Sequence, residues 1–174
     1  MELHTNRLLL RPLTLNDLDT KHDYAKDEVS NQYMLFLPKL RIEETLLSLQ
    51  NAVYNWENNN PDNYEFAIVF EDKHIGEIGL YRLNSDEAEL GWVLHKDYQN
   101  KGFVTEAAFE ILTLAKRINF KKVVAHCDER NLPSRRVMEK LGMIENEHKG
   151  VRKNRIASEE SVELLYEIRI WIEG

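Results

Sequence analysis

Four residues, Gln99-Asn100-Lys101-Gly102, stand between the apolar run "ELGWVL" and a helix-like run starting at about Gly102 to Val104. A helix's first turn carries backbone N–H groups without intrahelical partners, and the macrodipole adds partial positive charge there. A glycine lets a bulky ligand come close to the backbone. Lys101 adds a formal charge, and Gln99 can hydrogen-bond. Such a turn suits an anion such as a pyrophosphate. It also reads as a plain strand-to-helix turn, with neither a Walker loop nor a dinucleotide fingerprint present. The six histidines, His4, His22, His74, His95, His126 and His148, show no ligand-like spacing, so no metal is expected. His126 and Cys127 are neighbours on what reads as a strand, hence on opposite faces, which argues against a thiol–imidazole nucleophile. Arg135 and Arg136 either reach a phosphate or face solvent. The basic group Lys149, Arg152, Lys153 and Arg155 is expected in a solvated loop, with a substrate flap or a dimer contact as the alternative.

The elements that position these residues follow from periodicity. "RLLLRPL" reads as a strand ending near Pro12. "TLNDLDTKHDYAKDEV" reads as a helix capped by Thr14 or Asn16. Ile42, Leu46, Leu49, Val53 and Trp56 predict a helix from Arg41 to about Asn58, ended by "NNNPDN". "EFAIVFE" and "HIGEIGLYRL" read as a hairpin about Asp72-Lys73, and "AELGWVLH" adds a third, antiparallel strand. Val104, Ala108, Phe109, Leu112, Ala115 and Ile118 predict one helical face. "KKVVAHC" reads as a strand reached by a right-handed parallel crossover. "NLPSRRVMEKLG" reads as a helix capped by Asn131 and stopped at Gly142. "SVELLYEIRIWIE" is the expected last strand, after a polar loop, "NEHKGVRKNRIASEE". This order implies an α+β (mixed α/β) fold on a central sheet.

At 174 residues and 43% hydrophobic, one domain spanning 1–174 is expected. The formal net charge of −7 argues against a nucleic-acid partner. No apolar run approaches the roughly 20 residues of a membrane span, and the N-terminus has no signal-peptide core. With a single cysteine, no internal disulfide can form, and the cytoplasm is the expected compartment.

"QNKGFVTEA" resembles the acetyl-CoA signature of the GNAT acetyltransferase superfamily, Gln/Arg-x-x-Gly-x-Gly/Ala, with Gln99 and Gly102 in place. Val104 departs from it. The pattern then requires the Val104 side chain to turn into the core and leave its N–H to the ligand. "NRLLLRPL", "GEIGL", "AELGWVL" and "NLPSRRVMEKLGM" resemble, in order, segments of the RimJ/RimL-type branch, which acetylates ribosomal-protein N-termini. The resemblance implies a mostly antiparallel twisted sheet of six or seven strands, a splayed parallel pair in its middle and about four helices.

It also implies transfer of acetyl from acetyl-CoA to a primary amine through a tetrahedral intermediate. A protein N-terminal amine is the leading acceptor. A small amine such as a polyamine, amino acid or aminoglycoside, or a CoA-binding module without turnover, is the alternative. A homodimer is an open expectation. By the same resemblance, backbone N–H groups of Gln99, Asn100, Lys101, Gly102, Phe103, Val104 and Thr105 hold the pyrophosphate. The backbone of Trp92, Val93 and Leu94 pairs with the pantetheine, with Val93 or Leu94 donating to the oxyanion. Glu89 is the expected base; a bulge would substitute Glu87, and Glu77 could share the pocket. Met138 stands where many members carry a tyrosine acid. Ser134 is placed to bind the sulfur or simply to open its helix, and Asn131 to cap that helix, bind pantetheine, or both.

Overall fold

The computed structural model describes residues 1–57 and 61–170. Asn58 to Asn60 of the expected turn and Trp171 to Glu173 of the expected last strand lie outside the described residues. In chain order the elements are β1 (Leu3–His4), β2 (Leu8–Pro12), a 3-10 turn (Leu15–Asp17), α1 (Leu18–Ala25), α2 (Ile42–Trp56), β3 (Asn63–Phe70), β4 (Lys73–Arg82) and β5 (Glu87–Leu94). A second 3-10 turn (Lys96–Tyr98) leads to α3 (Phe103–Arg117), β6 (Lys122–Asp128), α4 (Leu132–Lys140), β7 (Ile144–Glu145), β8 (Gly150–Arg152) and β9 (Ser161–Arg169). The sheet runs β1-β2-β3-β4-β5-β6-β9-β7, with β8 also paired to β9. Every pairing is antiparallel except β5 with β6.

The described strands number nine rather than six or seven. The additional ones, β1, β7 and β8, have two or three residues each, too few to show alternation, and exist because a neighbouring strand offers free backbone groups. The β3–β4 turn is Glu71-Asp72, one residue before the expected position. Their φ values of 47° and 62° are those a tight, right-twisting hairpin demands at both central positions. α1 is shorter than expected at both ends. Asp17 accepts from Thr14 N–H at 2.8 Å and holds the preceding turn apart, while Asp27 accepts from the amides of Val29 and Ser30 and captures the far end as a turn.

Sheet alternation separates two faces. Phe66, Ile68, Ile78, Leu80 and Leu90 form one core with Phe103, Val104, Ala107, Ile111 and Leu114 of α3. Ala67 and Val69 turn the other way, toward Leu49 and Ala52 of α2. The buried stripe of α3 includes Ile111 and Leu114, whereas Phe109, expected inside, is half exposed. The basic segment after α4 is solvated only in part: Lys149, Lys153 and Arg155 are exposed. Arg152 and Asn154 are buried; Arg152 donates to Asn154 Oδ1 at 2.8 Å and to Tyr33 O at 3.0 Å and pairs with Glu163 at 3.3 Å.

Candidate active site

Strands β5 and β6 share a ladder only over Glu87–Glu89 and Lys122–Val124, although β5 continues to Leu94 and β6 to Asp128. Beyond Glu89 the strands part. His95 N–H donates to Ile75 O at 2.8 Å and Leu83 N–H to Glu87 O at 3.0 Å. An antiparallel ladder alternates, so Val93 spends its N–H on β4, and the amides of Trp92 and Leu94 face the gap. Of the two oxyanion donors left open by the sequence, only Leu94 keeps its N–H available. The Leu94 carbonyl is taken by Gln99 Nε2 at 3.1 Å.

The α3 N-terminus opens beside that gap. Gly102 is its N-cap with φ 79°, a left-handed value that costs a residue with a Cβ. Glu106 N–H is the first to donate within the helix, to Gly102 O at 3.0 Å, so the amides of Phe103 to Thr105 precede the ladder. Val104 is buried in the core, which meets the steric condition its bulk imposed. The Lys101 ammonium, expected to face an anion, donates instead to Asp97 O at 2.8 Å and lies 5.3 Å from the Tyr98 ring centroid. Gln99 likewise braces the loop through its bond to Leu94 O, and its N–H, expected on the pyrophosphate, donates to Lys96 O at 3.2 Å. Glu106 accepts from Thr5 Oγ1, Arg7 N–H and Arg7 Nε at 2.6 to 2.9 Å, and these donors compensate a carboxylate at a place meant for anions. A groove of about 270 Å³ runs along this turn, lined by Trp92, Leu94, Asn100, Gly102, Thr105 and Arg136, among others. Arg135 turns away, toward Tyr166 OH at 3.4 Å and Glu145 at 3.7 Å. Asn131 Oδ1 accepts from Ser134 N–H at 3.3 Å and caps α4.

On the opposite face of the gap lies a cavity of about 430 Å³. The register Glu77↔Val93, Gly79↔Gly91 and Tyr81↔Glu89 runs without a shift, so these side chains and Glu65 of β3 share the cavity face. No bulge exchanges Glu87 for Glu89. Glu87 pairs with Lys122 at 2.7 Å and is outside the cavity lining. Glu77 is held by Lys21 Nζ and Tyr24 OH. Tyr81 OH donates to Glu65 at 3.3 Å; burial, with Glu77 nearby, pushes the Glu65 carboxyl above its ordinary range. Glu89 meets His126 Nδ1 at 2.9 Å. Burial pushes the Cys127 thiol up to about 11, which removes it as a nucleophile at neutral pH. The cavity is roofed by residues 33–37. That strap is tied to the segment around β8 by Arg152 on Tyr33 O and by Arg155 N–H on Met34 O at 2.9 Å. Among the described residues no His/Cys/Asp/Glu cluster could hold a metal, and no helix is long and apolar enough to cross a membrane.

Residues 7–144 match the acetyltransferase (GNAT) domain model. This chain belongs to the GNAT acetyltransferase family. It is 34% identical over 148 residues, 82% of each chain, to the uncharacterized N-acetyltransferase YnaD of Bacillus subtilis strain 168. The crystal structure of a GNAT-family acetyltransferase from Bacillus anthracis superposes with a TM-score of 0.82 at 28% identity, covering 97% of this chain and 98% of that one. The fold also matches, at 17% identity and a TM-score of 0.83 with 98% of each chain covered, RimL, a ribosomal L7/L12 alpha-N-protein acetyltransferase solved with coenzyme A.

Glu65, Tyr24 and Tyr81 were missed by sequence reasoning, and His126 was weighed only as a metal ligand or thiol partner. Each lies on the cavity through strand register or helix packing across long separations, and only a register fixed in advance could have found them.

Proposed function

We propose that the groove at the α3 N-terminus takes acetyl-CoA, and that the cavity takes the primary amine to be acetylated, an α-amino group at a protein N-terminus. One observation carries this reading: groove and cavity meet at the gap between β5 and β6, sharing Trp92, Val93, Asn131 and Ser134. A thioester lying there would have an amine-sized space on one side and a helix N-terminus on the other. The residues fit the carrier. Amides from Asn100 through Thr105 are available to phosphate oxygens, Val104 leaves room, and the gap edge of β5 offers unpaired backbone to an amide-rich arm.

When bound, acetyl-CoA supplies the acyl group. Leu94 N–H is aimed to stabilise developing negative charge on oxygen, an effect typically of about 3 kcal/mol. Ser134 stands where its hydroxyl can bind the sulfur, and Met138, 0% exposed, carries no proton to donate. The amine proton leaves toward the Glu89 edge of the cavity. Glu77, engaged by Lys21 and Tyr24, is not free to take it. An α-amine has an ordinary pKa near 8 and needs less help than a lysine. The RimL fold match supports this acceptor. A small amine is the second reading, favoured by the roof that the Arg152 and Arg155 contacts hold over a cavity at the small end of ligand-site volumes, roughly 300–1,000 Å³.

A thiol-release assay separates the two. Peptides with ribosomal-protein N-termini should turn over and polyamines, amino acids and aminoglycosides should not; the reverse pattern assigns the small amine. Saturable acetyl-CoA binding with no amine-dependent thiol release across the panel would leave a carrier-binding module.

A further inference from the structure

We propose that His126 is the group that takes the proton from the acceptor amine, at Nε2, while Glu89 positions its ring through Nδ1. The proposal rests on the reading of the cavity as an amine site and assigns the group within it that holds the proton.

The placement comes from the sheet. Glu89 and Val124 are the last paired residues before β5 and β6 part. His126, two residues farther on, shares the face of Val124, so its ring reaches back across the start of the gap. Nδ1 lies 2.9 Å from Glu89 Oε1, both residues line the cavity, and the side chains are 30% and 35% exposed. With Nδ1–H given to a carboxylate, the lone pair of Nε2 is the free acceptor of the ring.

The chemistry favours the imidazole. A carboxylate with an ordinary pKa of about 4.3 is a weak base toward an ammonium of about 8, whereas an efficient general base titrates near the working pH. The hydrogen bond to Glu89, opposed by burial, raises the His126 pKa from its ordinary value. Glu163 on β9 acts in the same direction and Arg152 on β8 against it. Tyr81 of β4 stands opposite Glu89. Across the cavity are Glu65, the Glu77–Lys21 pair and Lys39. The step balances. The ammonium N–H bond breaks, its electron pair stays on nitrogen, and the proton bonds to Nε2, giving an imidazolium held by ionised Glu89. Nitrogen then forms the N–C bond as the carbonyl pair moves to oxygen; collapse of that oxyanion re-forms C=O and breaks C–S, the second proton leaves nitrogen for the departing thiolate as thiol, and Nε2 releases the first to water.

The test is kcat/KM against pH for the natural protein, Glu89→Gln and His126→Gln, alongside 15N NMR titration of the His126 ring and calorimetric acetyl-CoA binding. Natural protein should show an acidic limb at the His126 midpoint. In Glu89→Gln, limb and midpoint should move down together. His126→Gln should lose that limb and about 10²-fold or more in kcat/KM at pH 7, with acetyl-CoA affinity retained as proof of folding. A limb unmoved in His126→Gln, or a His126 midpoint indifferent to Glu89→Gln, overturns the proposal while leaving the acetyltransferase reading intact. Absence of thiol release with every amine sinks the reading itself.

Discussion

Asp128 is fully buried as a side chain and charged, because Arg130 Nε and Nη2, Arg130 N–H, Asn154 Nδ2 and Ser161 Oγ all donate to it. These donors hold its carboxyl far below the usual range against the cost of burial. A depressed folded pKa stabilises the fold above the unfolded value, about 3.9, and that contribution is lost as pH falls through the folded value. Asp128→Asn should therefore lower stability by about 3 kcal/mol at pH 7 and flatten the acid limb of melting temperature against pH below about pH 5. Glu77 differs in kind from Glu89. Its partner Lys21 has only 9% of its side chain exposed, so Glu77→Gln strands a buried ammonium. It should cost about 3 kcal/mol in chemical denaturation, whereas Glu89→Gln should act mainly on rate. Gly102 and Asn131 could be read from sequence because each does a local backbone or capping job that its residue type announces, and Val104 because it falls on the apolar stripe of its helix. The Glu77–Lys21–Tyr24 cluster could not, since it joins residues more than fifty positions apart.

The helices were legible because their signals are strong: a left-handed N-cap glycine for α3, an asparagine cap and Gly142 at φ 77° for α4. The periodicity of α3 placed Phe109 inside and left out Ile111 and Leu114, both 0% exposed, because a hydrophobic residue at the stripe's edge has no local signal telling it which way to face. Short strands and the buried Arg152–Asn154 arm escaped because their stability is entirely tertiary, and polar composition there concealed a network. Gly102 gives an element-scale prediction. A Cβ there would meet Arg7 Nη2 at 3.5 Å, which is ordinary contact, so the penalty is conformational. Gly102→Ala should cost about 1 kcal/mol of stability and weaken acetyl-CoA binding by calorimetry, because relaxing φ re-aims the amides after it.

At the scale of the molecule, the sheet is two plates joined over three ladder positions, Glu87 to Glu89 against Lys122 to Val124. One plate carries β1 to β5 and the other β6 to β9. A carrier lying in the gap supplies contacts that neither plate can make for itself, so binding should weld them. In hydrogen–deuterium exchange, acetyl-CoA should slow the amides of Trp92 and Leu94 and raise the melting temperature with carrier concentration, leaving the β2–β3 ladder unchanged. Unprotected Trp92 and Leu94 amides at saturating carrier would place the ligand elsewhere. The seam that leaves backbone amides free is thus also where a bound carrier should add stiffness, while the core shared by both plates holds the empty protein together.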